Sequence, residues 1–303
     1  MGVLDGIVVK AMPLVPRSVV RRVSAPYIAG PALADAMRVV TGLNAAGKCA
    51  TVDVLGEEIR APGEAQAIAE AYREALDAFE TAGLDANVSV KLTALGLELD
   101  LALCRGLLEQ VVRHAASLGR FVRIDMEDSR FTDDTLRLYR GLRAEGLENV
   151  GIVFQAALHR TLDDIAGIAE LRPSVRLCKG IYVESPSISY RDADAIRSSF
   201  VACLDALLAA GCRVALATHD EWLLQHSLEH TASLPLDGYE IQMLLGVREG
   251  RANDLVAAGH RVRIYVPFGQ RWYEYSLRRL QENPAMATLI AKATVARALG
   301  RGG

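Results

Sequence analysis

Eight short runs of apolar and β-branched residues, each separated from the next by a stretch of helical period, constrain this chain more than any other feature. The expected strands are Cys49–Val54, Val88–Leu92, Phe121–Met126, Gly151–Gln155, Val175–Ile181, Arg213–Thr218, Tyr239–Leu244 and Val262–Val266. Their starts lie roughly 23 to 39 residues apart, which is the room that a strand, a loop and a crossover helix require. The segments between them, such as Glu64–Ala82 and Ser198–Ala210, carry Ala, Leu and Glu with an apolar residue every three or four positions. Repeated strand–helix units give a parallel sheet, and eight of them suggest closure. The expected fold is therefore α/β, a (βα)8 TIM-like barrel. A helical opening runs through about residue 40, and a last helix is laid over the C-terminal mouth. No Gly/Ser/Pro-rich linker or charge block divides the chain, so the expected organisation is an N-terminal helical segment, 1–45, and one catalytic barrel, 46–300. A chain of 303 residues that is 51% apolar can fill such a core.

Charge and cysteine usage narrow the classes further. A net charge of -3 and a pI near 6.1 argue against nucleic acid as a partner, because phosphate binding draws on surplus clustered Lys and Arg. Five cysteines without a C-x-x-C pair point to a reducing compartment. Neither a signal peptide nor a lipid anchor is read at the N-terminus, and no run reaches the ~18 apolar residues of a membrane span. The expected location is the cytoplasm, with at most peripheral contact on the inner face of the cell membrane.

In barrels of this kind catalytic groups come from the C-terminal ends of the strands. Those ends read Ser89-Val90-Lys91, Arg123-Ile124-Asp125-Met126-Glu127, Phe154-Gln155-Ala156, Arg176-Leu177-Cys178-Lys179-Gly180, Ala217-Thr218-His219-Asp220 and Ile241-Gln242. Six of eight strands thus end on an ionisable or amide group, three of them offering cations to one mouth. Pro267-Phe268-Gly269 breaks the chain after the eighth strand, and Trp272–Glu282 is expected to be a helix ended by Asn283-Pro284. Tyr275, Arg278, Arg279 and Glu282 share one face of it by their spacing. Such a stripe is either a solvated surface or a lid over the mouth. As a lid, two guanidinium groups together with Lys91 suit a small carboxylate.

Other patterns compete. Gly42–Cys49 comes within one residue of a P-loop, but Cys49 replaces the Mg²⁺-binding hydroxyl and a strand is expected to follow instead of a helix. His226-Ser227-Leu228-Glu229-His230 matches an H-x-x-E-H zinc pattern, placed on an outer helix away from the polar mouth; no metal is expected. Trp222 and Leu223 read as helix packing. Lys179 on a barrel strand admits an aldolase-type Schiff base. A barrel that only binds a small anion is the non-catalytic reading.

Taken in order, the strand-end motifs and Tyr275-Ser276-Leu277-Arg278-Arg279 resemble proline dehydrogenases, both the single-domain bacterial enzymes and the corresponding domain of bifunctional proline-utilisation proteins. The resemblance covers most of the chain, and Tyr-x-x-Arg-Arg is its most specific motif. It implies oxidation of L-proline to Δ1-pyrroline-5-carboxylate by hydride transfer to N5 of non-covalent FAD. It also implies a membrane quinone as electron acceptor and a separate pyrroline-5-carboxylate dehydrogenase acting next. By the same resemblance Lys91, Arg278 and Arg279 hold the carboxylate, and Tyr265 and Tyr275 pack around the ring. Asp125 and Arg176 are the catalytic pair. Met126, Gln155, Arg176, Lys179, Gly180, Ile181, Thr218, His219, Gln242 and Glu282 fall on the FAD contacts. Ile181, Val183 and Asp220 depart from the family pattern, where a small residue, Trp and Asn are common.

Overall fold

The computed structural model describes residues 20–21, 24–56, 59–235, 238–273 and 275–276. Its centre is a closed barrel of eight parallel strands paired in chain order, β1 to β8, with β8 returning to β1. The strands are β1 (Cys49–Val54), β2 (Ala86–Val90), β3 (Val122–Ile124), β4 (Val150–Gln155), β5 (Ser174–Cys178), β6 (Arg213–Ala217), β7 (Tyr239–Leu244) and β8 (Val262–Phe268). The helix α1 (Leu33–Ala45) leads into β1 and packs on β8 and β1. The crossovers are α2 (Pro62–Thr81), α3 (Leu101–Ser117), α4 (Thr132–Ala144), α5 (Thr161–Ile168), α6 (Ala193–Ala209), α7 (Glu221–Thr231) and α8 (Glu249–Ala257). The (βα)8 barrel read from the sequence is thus the fold.

Local chemistry explains where the helices start. Pro62 opens α2 at a position whose N–H would lack a partner anyway, and Ala65, Ala69, Tyr72, Leu76 and Phe79 then bury one face at three- and four-residue spacing. Asp100 caps α3 by accepting from the Leu103 N–H at 2.6 Å, and Asp192 caps α6 through the Ala195 N–H at 2.9 Å. Both caps sit at the loop ends where the chain leaves the barrel mouth.

Strand alternation sorts the two faces of the sheet. Ala50, Val52, Val88, Val90, Ile152, Leu177, Leu216, Ile241 and Val266 belong to one buried apolar core shared with the helical ring. The intervening positions, among them Asp53, Ser89, Arg123, Arg176, Gln242 and Arg263, are buried too, yet polar. They meet across the inside of the barrel, whose interior is a hydrogen-bonded network in place of the usual layers of branched apolar side chains.

Six strands, all but β1 and β7, differ in their bounds from the sequence reading, and in β2, β5 and β8 the difference bears on the site. Lys91 lies just past β2, and Lys179, Gly180 and Ile181 belong to the loop after β5, because the ladder of β5 to β6 ends at Cys178 opposite Ala217. Pro267 and Phe268 do not break β8. They pair with Asp53 and Val54 of β1, and β7, whose pairing ends at Leu244 opposite Tyr265, asks no N–H of Pro267. The break falls at Gly269, whose φ of 139° only glycine adopts freely and whose N–H donates to the Gly30 carbonyl at 3.0 Å. The expected helix Trp272–Glu282 lies largely outside the described residues; Trp272, Tyr273, Tyr275 and Ser276 are helical. Among the described residues no helix is long and apolar enough to cross a membrane, and all five cysteines are free thiols.

Candidate active site

The mouth is built around two buried ion pairs. Asp125, just past β3, accepts from Ser89 Oγ at 2.6 Å and from Arg176 Nη1 at 2.5 Å on one oxygen, and from the Tyr265 hydroxyl at 3.0 Å on the other. Lys91 donates to Asp53 Oδ2 and, at 3.3 Å, to the Tyr265 oxygen. Tyr265 therefore links the pairs, receiving from Lys91 while donating to Asp125. Burial pushes its phenol well above the usual value, and the nearby Asp125 and Asp53 charges push the same way, so it stays a donor.

Asp53 is a residue that reading the strand ends misses, because it is the one charge in an apolar run and such a run reads as core. It has no exposed surface, and its second oxygen lies 3.1 Å from the Tyr72 hydroxyl, which α2 inserts between β1 and β2. The consequence is electrostatic. Lys91 arrives already compensated, so Lys91, Arg176, Asp53 and Asp125 together are neutral, and net attraction for an anion must come from elsewhere.

Arg176 is the hub. Its Nε donates to Gln242 Oε1 at 2.5 Å, Nη1 serves Asp125 and Ser89, and its plane lies 5.4 Å from the Tyr265 ring. Nη2 is buried and has no hydrogen-bond partner among the described residues. A buried guanidinium N–H without an acceptor costs free energy unless a bound group supplies one. Arg123, two residues before Asp125 as Arg176 is two before Cys178, turns the other way: it donates to the Ile152 carbonyl at 2.9 Å and to Ser174 at the start of β5. Its guanidinium does not enter the mouth, although its charge is felt by Arg176 and Asp125.

A cradle lies at Gly180, in the loop that follows the strand carrying Arg176. Gly180 has φ 104°, and a Cβ there would stand 3.2 Å from Gln155 Oε1 and 3.3 Å from the Ala157 methyl. Gln155 is itself held by donating to the Glu127 carbonyl at 2.8 Å. Met126, the residue before Glu127, is buried. Farther round the rim, His219 Nε2 accepts the Leu244 N–H at 3.0 Å, which leaves the ring proton on Nδ1 as a donor. Thr218 Oγ1 accepts the Asp220 N–H at 3.1 Å. Lys179 reaches Asp220 at 3.2 Å, and Arg197 reaches the same oxygen at 3.0 Å. Burial would raise the Asp220 carboxyl, but these two cations outweigh it and hold it below its usual range. Ile181 is 43% and Val183 86% exposed, on a loop that Glu184 ties to the Ser129 N–H at 2.7 Å.

Tyr275 packs with Ile28, Leu55 and Trp272 in a small cluster at the end of β1, on the same rim. Arg278, Arg279 and Glu282 lie outside the described residues. The site thus brings together Lys91, Asp125, Arg176, Gln242 and Tyr265 from five strands, with Gln155 and Gly180 alongside. Its order of donors suits a group rich in acceptors, which could take the open Arg176 Nη2.

The competing motifs do not converge here. Gly42–Ala45 closes α1, and a strand follows. On α7, His230 bonds to Asp205 of α6 at 2.6 Å, and His226 stacks on Trp222, which is 47% exposed and not packed as expected. No group of three or more candidate metal ligands occurs among the described residues.

Comparison with known proteins agrees with this fold. The family model described as proline dehydrogenase matches residues 36–292. The chain is 36% identical over 268 residues to proline dehydrogenase 1 of Bacillus subtilis subsp. natto, covering 88% of both chains. It is 33% identical over 274 residues to proline dehydrogenase of Deinococcus radiodurans, again covering 88% of each. Among solved structures, proline utilization A from Bdellovibrio bacteriovorus, inactivated by N-propargylglycine, superposes with a TM-score of 0.79 at 25% identity. That match covers 85% of this chain and 32% of the larger protein.

Proposed function

Because this chain belongs to the proline dehydrogenase family, we propose that it oxidises L-proline to Δ1-pyrroline-5-carboxylate with non-covalently bound FAD. The observation that carries this reading is the buried Arg176 Nη2 without an acceptor, in a carboxylate–cation cluster on the strand that leads to the Gly180 cradle. FAD would supply the hydride acceptor at N5 for the hydrogen on the ring carbon next to nitrogen, its electrons passing to a membrane quinone.

The chain's own residues do the rest. Arg176 and the Gly180 backbone hold the flavin edge, with Met126, Gln155, Lys179, Ile181, Thr218, His219, Gln242 and Glu282 as its further contacts. Arg278 and Arg279 supply the net positive charge that the compensated Lys91 lacks, and the three clamp the proline carboxylate. Tyr265 and Tyr275 bound the ring. Asp125 keeps Arg176 and Tyr265 in register. The catalytic unit is residues 46–300, preceded by the helical segment 1–45. The enzyme works in the cytoplasm, touching the membrane peripherally, and a separate pyrroline-5-carboxylate dehydrogenase takes the product.

A visible spectrum of the purified protein, before and after anaerobic addition of L-proline, tests this. The protein should be yellow, bleach with proline, and release its flavin on acid precipitation. A colourless protein that also ignores added FAD refutes it. The Schiff-base alternative has less support, since Lys179 is half-exposed and ion-paired with Asp220 and does not sit in the dry pocket an amine nucleophile uses. Borohydride trapping with substrate would restore it.

A further inference from the structure

Below Arg176 the network continues to a residue that no strand-end motif includes. Gln242 Oε1 accepts from Arg176 Nε at 2.5 Å, and its Nε2 donates at 2.5 Å to Glu240 Oε1. An amide can sit either way round, but its neighbours cannot: a guanidinium only donates and a carboxylate only accepts. Turned over, Gln242 would set an NH2 against the guanidinium and a carbonyl against the carboxylate, losing both bonds inside a buried site. Arg176 and Glu240 together rule that orientation out, and Glu240 is the member that holds the Nε2 end.

Glu240 is held firmly enough to do so. It is buried, and both its oxygens take Arg263 Nε, at 3.1 and 3.0 Å, while Arg263 Nη1 donates to the Ala50 carbonyl at 2.6 Å. Burial would raise its carboxyl, yet Arg263, Gln242 and Arg123 outweigh that and hold it at about 2, so it remains an acceptor. The chain Arg263–Glu240–Gln242–Arg176 therefore runs from the lower part of the barrel to the mouth.

We propose that Glu240 is a positioning residue which, through Gln242, locks the Arg176 guanidinium so that Nη2 is left for the flavin. This rests on the FAD reading given above. A purely structural Glu240 would do no more than neutralise Arg263.

A double-mutant cycle separates the two. The parent, Glu240→Gln, Gln242→Met and the double variant are stripped of flavin and titrated with FAD by fluorescence, and the midpoint potential of the bound flavin is measured. A glutamine at 240 can accept or donate, so it no longer obliges Gln242 Nε2 to donate, and only Arg176 still fixes the amide. Glu240→Gln should weaken FAD binding by roughly tenfold, as loss of one bond to a charged group does, and move the potential to more negative values. In the Gln242→Met background it should add nothing. An equal loss in both backgrounds, or a lower melting temperature with FAD affinity and potential unchanged, overturns the proposal. Should the stranded Arg263 prevent folding, Glu240→Gln with Arg263→Met removes that charge and is held to the same outcomes. A parent that takes up no FAD overturns the reading of the site and this inference with it, whereas a parent that binds FAD beside an unaffected variant overturns the inference alone.

Discussion

Replacing Asp53 by asparagine removes one charge from the centre of the barrel and should be among the costliest conservative changes in this protein. Asp53 has no exposed surface, and the Lys91 side chain paired with it is 9% exposed. An exposed pair would be worth about 0 to 1 kcal/mol, but stranding one member of a buried pair costs about 3–5 kcal/mol. The amide oxygen of the new side chain can still accept one bond from Lys91, which favours the lower end. For a chain of this size each kcal/mol moves the melting temperature by roughly 2 °C, so Asp53→Asn should melt roughly 6–10 °C below the parent. The assay is thermal unfolding followed by circular dichroism on flavin-free protein, which keeps cofactor binding out of the comparison. Asp53→Asn combined with Lys91→Met replaces the pair by uncharged groups and should recover most of the loss. A single variant melting within about 2 °C of the parent, or a double variant no better than the single, would refute the view that this pair is energetically buried.

Arg279→Met should keep fold and flavin colour but lose about 2–5 kcal/mol in kcat/KM, mostly as a higher KM for proline, with Arg279→Lys only partly restoring it; an unchanged KM would return that helix to a solvated face. Tyr265→Ser should relax discrimination against 4-hydroxyproline by about 1–3 kcal/mol, read as the ratio of kcat/KM values, and equal values for the two substrates in the parent would contradict the crowding role. Alkaline stability should follow Tyr72, which burial first and Asp53 next raise well above 10.0, together with Tyr265, which burial and Asp125 raise likewise. The unfolded chain ionises above that pH while the folded one stays protonated. The contribution of each of these two phenols is thus full below pH 10 and falls by about 1.4 kcal/mol per pH unit until its folded value is reached. Denaturant midpoints at pH 9 and pH 11 measure the drop, and Tyr72→Phe should make it shallower by about 1.4 kcal/mol.

Much of the fold was legible because its signals are local. All eight strands fall where β-branched runs lie between helical stretches, and β1 and β7 have the expected bounds. The polar strand ends were legible for the same reason: Lys91, Asp125, Gln155, Arg176 and Gln242 each stand at or near the end of an apolar run, where a charged or amide group is conspicuous. Asp53 was not, since a single carboxylate inside Cys49–Val54 carries no sign of the lysine 38 positions away that compensates it. Glu240 was missed likewise, its partner Arg263 being 23 positions on.

The two arginines show where the local code stops. Arg123 and Arg176 stand alike in their strands, and nothing in their neighbours separates them. What separates them is the next strand. Gly151, opposite Arg123 in the ladder, leaves space where a Cβ would stand 2.5 Å from Arg123 Nη1, and the guanidinium turns down through it toward Ser174. Arg176 instead faces Ala215 and reaches across to Gln242 and Asp125. The sequence by itself determined the eight units, their order and which residues stand at the strand ends, because periodicity of side chains along a chain is a property of neighbours. Only the closed barrel decided which of those charges meet, which cancel and which remain open at the mouth, because strands separated by tens of residues are brought within hydrogen-bonding distance only when the sheet curls back on itself.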